Sequence, residues 1–184
     1  MTDTSAALDV VRPLLRVRQI RDFTPDPVSA ADLEAITEVA RWSGSSRNTQ
    51  PWRFIVLRDE ATLRRIAEIG LPQTRSLNTA TAAVAVALPS DSKMAVSYAY
   101  DDGRVAERML IAGSLLDLGA AIAWILPEIR PAVGELLGLP GGWIVRTIVA
   151  LGHPTAAAKR PKAAPGTARR PRGEAVFEER WPKG

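Results

Sequence analysis

The chain contains no cysteine and a single histidine, His153. The absence of cysteine excludes disulfides, thiolate metal sites and a cysteine nucleophile. With one histidine, a catalytic triad or a multi-histidine metal centre would need unusual members. We therefore predict no metal site, and we expect a bound cofactor to supply any reactivity. His153 follows a predicted strand end and precedes Pro154, so we predict a structural role for it.

Long hydrophobic runs and glycine-rich phosphate loops are also missing. No segment approaches the roughly 20 apolar residues that a membrane span needs. Asp3 and Asp9 precede any basic residue, unlike the start of a secretory signal. Without a glycine-rich strand-turn-helix element, dinucleotide-binding and P-loop folds are disfavoured. We expect a cytoplasmic protein without membrane contacts, and residues 1–184 suffice for one domain.

Positive charge is concentrated near the end of the chain. Residues 1–154 hold 16 Lys+Arg and 17 Asp+Glu, a net charge of −1, whereas residues 155–184 hold 8 Lys+Arg and 3 Glu, a net charge of +5. Such a segment is either a solvated arm or a contact for nucleic acid. Its few aromatic residues argue against a stacking platform for single strands.

Hydrophobic periodicity predicts an α+β fold of three to five strands with helices packed on the sheet. Ser29 and Asp32 resemble a capping box that begins a helix, and Asp59 caps the next. A buried strand is expected at Trp52–Leu57. The longest apolar helix should begin at Asp101 or Asp102, run to about Leu118 and end at Gly119. Further strands are expected at 82–88, 120–125 and 143–151.

A polar loop, Gly44–Trp52, lies between a predicted helix end and a predicted strand. A loop in this position presents backbone N–H groups and side chains to a ligand from rigid supports. Asn48 and Gln50 offer both donors and acceptors, which are the groups that the edge of a flavin requires. From these residues alone, an ordinary connecting loop is the simpler interpretation.

Residues 40–54 (ARWSGSSRNTQPWRF) resemble the signature of the nitroreductase family, in which a small-residue loop leads to Asn-x-Gln-Pro-Trp. Other features of that family occur in the same order, so the resemblance spans about residues 14–181. They are a basic motif at Arg18–Phe23 followed by Pro27-Val28, a core helix within 103–119 that ends in Leu-Gly, the strand and turn at 150–154, and a tail with Arg169-Arg-Pro171 and Glu179-Arg-Trp181.

The resemblance implies an α+β homodimer with a central, mostly antiparallel sheet and a C-terminal arm, residues 155–184, that wraps the partner subunit. It implies two FMN sites, each lined by both subunits, and it argues against nucleic acid as the partner of the basic arm. Val17 and Gly44 depart from the family pattern, where a second arginine and a proline are common. The cofactor-binding residues that the resemblance implies are Arg18, Gln19, Arg21, Ser45, Ser46, Asn48, Gln50, Gln73, Trp124, Ile125, Leu126, Arg169 and Arg170.

Roles follow for several of these residues. Arg18 and Arg169, with Arg170 as a substitute, would bind the FMN phosphate, and Arg21 would approach the pyrimidine edge as electronic support. The loop Ser45–Gln50 would line the flavin of the partner subunit. Gln73 would direct its amide toward the pyrimidine ring, and the backbone of 124–126 would flank the ring.

The resemblance implies an NAD(P)H-driven oxidoreductase that passes a hydride through flavin N5 to a nitroaromatic, a quinone or a similar small acceptor. No catalytic side chain beyond the flavin is required. Two alternatives remain. One keeps the fold and changes the reaction to dehalogenation, azoline oxidation or flavin fragmentation. The other is a flavin-binding or regulatory homodimer without turnover.

Overall fold

A computed structural model describes residues 4–160, 163 and 169–182 of the chain. In this part of the chain, four strands form an antiparallel sheet in the order β1–β2–β4–β3, which confirms the predicted α+β class with an antiparallel central sheet. The strands are β1 (Arg53–Leu57), β2 (Ala82–Pro89), β3 (Gly119–Trp124) and β4 (Trp143–Gly152).

Two helices, those after Ser29 and Asp59, begin where local capping signals predict them. The Ser29 hydroxyl accepts from the Asp32 N–H at 3.0 Å, and an Asp59 carboxylate oxygen accepts from the Thr62 N–H at 2.8 Å. Each bond satisfies a backbone donor that the first helical turn leaves free. The helices are α1 (Thr4–Arg16), α2 (Ala30–Arg41), α3 (Glu60–Gly70), α4 (Ala95–Leu115), α5 (Arg130–Leu136), and the single turns α6 (Ala156–Lys159) and α7 (Arg172–Ala175).

Strand β2 is buried on both faces of the sheet because helices cover each side. Its odd-numbered residues 83, 85 and 87 belong to one core cluster, with α3 and α5, while its even-numbered residues 82 to 88 belong to a second cluster, with α2 and α4. The alternation follows the two-residue repeat of a strand.

Within the described ranges, none of the helices combines the length and apolarity that crossing a bilayer requires.

The predicted boundaries of the longest helix are wrong at both ends. Helix α4 begins at Ala95, after a 3-10 turn whose cap is Asp91, and Asp101 and Asp102 lie buried within it. It ends at Leu115, where Asp117 takes a positive φ of 57° and so fills the left-handed position that the prediction assigned to Gly119. In a sequence, an acid that is buried inside a helix looks like an N-cap residue. The hydrophobic pattern does not show the distant groups that bond to the acid in the folded protein.

The predicted burial of the first strand is also wrong. Strand β1 starts at Arg53 and is half exposed, with only Leu57 buried. It lies at the edge of the sheet and pairs with β2 alone. Trp52, just before it, is the buried residue and packs in the cluster with α2 and α4.

The basic segment Arg18–Thr24 lies along the free edge of β3 and over the end of β4. The Ile20 N–H donates to the Ala120 carbonyl at 2.9 Å, and Phe23 forms a bridge with Pro154. Two glycines that pair directly across the strands, Gly119 and Gly152, lie beneath the segment. A Cβ on Gly119 would lie 2.8 Å from Ile20, and one on Gly152 would lie 2.8 Å from Phe23.

We predict that Gly152→Ala destabilises the protein by about 1–3 kcal/mol, because the new methyl group overpacks a filled core position. The Phe23 ring is buried and cannot move without shifting the basic segment. Urea unfolding at fixed pH measures the loss. Gly141→Ala is the control, since a Cβ there meets nothing within 4 Å. Equal stability of Gly152→Ala and wild type would contradict this packing argument.

Candidate functional site

The basic segment forms one side of a cavity of about 790 Å³. The cavity lies between the end of α1, the segment itself, α4 and the tail, and its volume is in the range of small-molecule sites. Arg18, Gln19, Arg21 and Arg169 all line it, which brings together predicted residues from opposite ends of the chain. Glu107 of α4 is an acidic member of the same lining.

A second cavity, of about 370 Å³, adjoins the first and shares Gln19 and Arg21 with it. Its other walls include Gln73 and Trp124, so the two cavities together contain six of the predicted residues. The Gln73 Oε1 atom is buried and has no hydrogen-bond partner among the residues that the structure describes. A buried acceptor without a partner is costly and is commonly satisfied by a ligand or water.

The cations in the segment already have partners on the protein. The Arg18 guanidinium donates to the carbonyls of Lys159 and, at 3.2 Å, Arg160, so it holds the start of the tail. Arg21 donates to Gln19 Oε1 at 2.8 Å. A guanidinium carries five N–H donors, so both arginines retain donors for an anion in the cavity.

The loop that carries Ser45, Ser46, Asn48 and Gln50 lines neither of these two cavities. Its shape is held by short-range bonds: the Ser45 hydroxyl accepts from the Gln50 N–H at 2.9 Å, and Gln50 Nε2 donates to Asn48 Oδ1 at 3.1 Å. Positive φ angles occur at Arg47, Asn48 and Gln50. Such angles are unfavourable for most residues with a Cβ, although asparagine tolerates them. At Arg47 and Gln50 the conformation therefore depends on its surroundings.

The three predicted residues at the end of β3 have different environments. Trp124 is half exposed and faces the second cavity, and Leu126 is partly buried. Ile125 is fully buried in the core. Its N–H donates to the Arg146 carbonyl at 2.9 Å, and its own carbonyl accepts from Arg130 Nε at 3.1 Å. Ile125 therefore has the surroundings of a core residue, which is its simpler interpretation.

The tail is described in part. Arg169 lines the larger cavity, and Arg170 lies 3.8 Å from Glu174 in an exposed ion pair. Phe177 and Trp181 make an edge-to-face contact at 5.0 Å between ring centroids. The other positions of the predicted arm, 161–162, 164–168 and 183–184, lie outside the described residues.

A buried carboxyl lies behind this end of the sheet and was not among the predicted site residues. Asp102 Oδ2 accepts from the Thr147 hydroxyl at 2.8 Å, and its Oδ1 is buried without a partner in the described part of the chain. Thr147 pairs with Trp124 across β3 and β4. Burial raises the pKa of Asp102 to about 6, against the opposing effects of the Thr147 bond and the charges of Arg146 and Arg130. In the sequence Asp102 was a candidate helix cap, because its buried position inside α4 depends on tertiary partners.

Comparison with known proteins places this chain in a family. The model of the nitroreductase family matches residues 16–95. A protein of Archaeoglobus fulgidus, provisionally named an NADH dehydrogenase/NAD(P)H nitroreductase, is 33% identical over 140 residues, covering 74% of this chain and 80% of its own. A protein of Thermus thermophilus named NADH dehydrogenase is 28% identical and covers 84% and 91%. The chain belongs to the nitroreductase family.

Solved structures support the same fold. An FMN-dependent nitroreductase from Clostridium difficile superposes with a TM-score of 0.80 at 20% identity, covering 92% of this chain and 98% of its own. The NADPH:FMN oxidoreductase of Vibrio harveyi, solved in complex with NAD+, superposes with a TM-score of 0.80 at 22% identity and covers 95% and 79%. At these identities the likeness establishes the fold.

We predict that Asp102→Asn alters how stability depends on pH. The folded pKa of Asp102, about 6, is above its ordinary value of 3.8. Between these values the folded protein keeps a proton that the unfolded chain has released, so this group lowers stability as pH rises through that window. Relative to wild type, the variant should gain about 3 kcal/mol between pH 4 and pH 7.

Urea unfolding at several pH values, at one fixed flavin concentration, measures this difference. Asp117→Asn is the matched control, because it removes an exposed carboxyl from the turn after the same helix. A constant difference between wild type and Asp102→Asn across this range would contradict the buried-carboxyl account.

Proposed function

We propose that this protein is an FMN-dependent NAD(P)H oxidoreductase. The observation that carries the proposal is the pair of adjoining cavities, in which cations from both ends of the chain and an unpartnered buried amide oxygen surround one space. Membership of the nitroreductase family and relatives named as NAD(P)H nitroreductases or FMN-dependent enzymes support the same assignment.

The donor set fits FMN. Arg18 and Arg169 line the larger cavity, and guanidinium groups suit a phosphate dianion because they bind it bidentately. The Gln73 Oε1 atom in the smaller cavity needs a donor, and the pyrimidine ring of a flavin carries an N–H group. The exposed indole of Trp124 supplies an apolar wall.

Bound FMN would supply the hydride and electron transfer. The chain's own residues bind and orient: Arg169 and Arg18 hold the phosphate, and Gln73 fixes the ring edge. The Arg21 guanidinium, which donates to Gln19 Oε1 at 2.8 Å, would lie beside the pyrimidine edge. A cation there would stabilise negative charge on that edge of the ring. Val17 offers no charge, so Arg18 and Arg169, with Arg170 nearby, carry phosphate binding in this chain.

We propose a homodimer in which the Ser45–Gln50 loop completes the site of the partner subunit. This loop is exposed or half-buried in the subunit and lines neither cavity. Helix α1 is exposed along its described length and carries apolar Leu8, Val11, Leu14 and Leu15. An apolar surface of this kind is typical of an interface between proteins, and the C-terminal arm would wrap across it.

The acceptor proposed is a nitroaromatic, a quinone or a similar small molecule reduced by two electrons. A reaction of another type on the same fold is the second candidate. The link from β2 to α4 is short, Ser90–Met94, and provides no large lid over a substrate. The short link favours a site that is open to varied acceptors, as in the first candidate function. It argues against a site in which a lid encloses the substrate.

We predict that Arg169→Ala and Gln73→Leu affect flavin binding differently. Removing the Arg169 guanidinium should weaken FMN binding by roughly 10- to 100-fold and leave riboflavin binding unchanged, because riboflavin lacks the phosphate. Gln73→Leu should weaken the binding of FMN and of riboflavin by the same factor, since Gln73 would contact the ring that both ligands share. It should also keep or raise the stability of the flavin-free protein, because an unpartnered buried acceptor is removed.

Quenching of flavin fluorescence on titration measures both affinities. Arg75→Ala, on the exposed surface near Gln73, is the control for loss of a positive charge. Equal losses of FMN and riboflavin affinity in Arg169→Ala would contradict the phosphate assignment. Unchanged FMN affinity in both variants would contradict the proposed site.

A further inference from the structure

Helix α4 contacts the Ser45–Gln50 loop, and the Gly44 that precedes it, through two charged side chains. Neither side chain is part of the proposed flavin site. Asp101 is buried, with 1% of its surface exposed. Both of its carboxylate oxygens lie within hydrogen-bond distance of the Ser46 N–H, at 3.2 and 3.3 Å. One turn later on the helix, Arg104 donates to the Gly44 carbonyl at 2.8 Å.

The two side chains also contact each other. Arg104 Nη1 lies 3.6 Å from Asp101 Oδ1. The Arg104 guanidinium therefore holds the Gly44 carbonyl, and the Asp101 carboxylate holds the Ser46 N–H group. Both groups lie at the start of the same loop. A buried carboxylate is retained only where it is paired and hydrogen-bonded. In the described part of the chain, Asp101 bonds to this loop and pairs with this arginine.

The loop has a conformation that needs such support. Arg47, Asn48 and Gln50 have φ angles of 52°, 54° and 47°, in the left-handed region that side chains disfavour. The bond from the Gln50 N–H to Ser45 closes the loop on itself but does not attach it to the core. Attachment to the core comes from the α4 pair, because Ser46 and Gly44 are bonded to Asp101 and Arg104.

We propose that Asp101 and Arg104 are positioning residues that hold the Ser45–Gln50 loop in the shape that contacts FMN. This proposal rests on the proposed function, in which the loop forms a wall of the flavin site. Asp101 sets the loop through a charge-assisted bond to the Ser46 N–H, and Arg104 orients the carboxylate and fixes Gly44. Neither side chain touches the cofactor in this account.

The test uses the full chain and the variant Asp101→Ala, with two readouts. The first is amide hydrogen exchange across residues 43–52, measured with and without added FMN. The Ser46 N–H should exchange roughly tenfold faster or more in the variant, because its charged acceptor is gone. The second is FMN titration, in which the dissociation constant should rise roughly tenfold.

Asp59→Ala is the matched control. Asp59 also accepts a backbone N–H bond, from Thr62 at 2.8 Å, but it caps α3 away from the loop. The control should increase exchange at the start of α3, with FMN affinity within twofold of wild type. Asp101→Asn keeps one oxygen that can accept from Ser46, so it should be intermediate in both readouts; it also serves if the alanine variant fails to fold.

Unchanged exchange at Ser46 in Asp101→Ala would overturn the proposal. Faster exchange with unchanged FMN affinity would also overturn it, since the loop would then be held without serving the cofactor. So would an equal loss of FMN affinity in Asp59→Ala, which would indicate general destabilisation. Failure of the wild-type protein to bind FMN would overturn the proposed function and the cofactor role of the pair, while the Ser46 exchange separately decides whether Asp101 holds the loop.

Discussion

The position of the basic segment Arg18–Thr24 depends on a close approach between backbone and sheet at two paired glycines. Gly119 and Gly152 face each other across β3 and β4, and a Cβ on either would lie 2.8 Å from the segment above. Because no side chain stands there, Phe23 packs into the core and Ile20 bonds to the edge of β3. The arginines of the segment are thereby held beside the larger cavity.

The rest of the candidate site is arranged around that segment. The sheet, covered by helices on both faces, provides a rigid support, and the turn after α3 brings Gln73 opposite Arg21. Helix α4 contributes two consecutive buried acids. Asp101 bonds to the loop before β1, and Asp102 bonds to Thr147, the strand partner of Trp124. One helix therefore contacts the loop directly and a neighbour of Trp124.

Local signals in the sequence were sufficient for much of the fold. Ser29 and Asp59 act through bonds to residues three positions away, so their caps could be predicted. The start of α4 could not, because Asp101 and Asp102 look like caps until their distant partners are known. The exposure of β1 follows from its place at the sheet edge, which depends on strand order and not on its own residues.

For the candidate site, the sequence indicated a family and a set of residues. The ordered motifs indicated the family, and Arg18, Gln19, Arg21 and Arg169 do meet at one cavity. Cofactor contacts of individual residues remain predictions. Ile125 has the surroundings of a core residue, and the unpartnered oxygen of Gln73 gives that glutamine a physical reason to bind a ligand that its sequence position did not supply.

Anaerobic reduction of the purified, FMN-loaded protein tests the central proposal most directly. The account predicts a yellow protein that retains FMN through gel filtration and whose visible flavin absorbance bleaches on addition of NADH or NADPH. An acceptor such as a quinone should then restore the colour. Protein that does not bind added FMN, or bound FMN that neither nucleotide reduces, would contradict it.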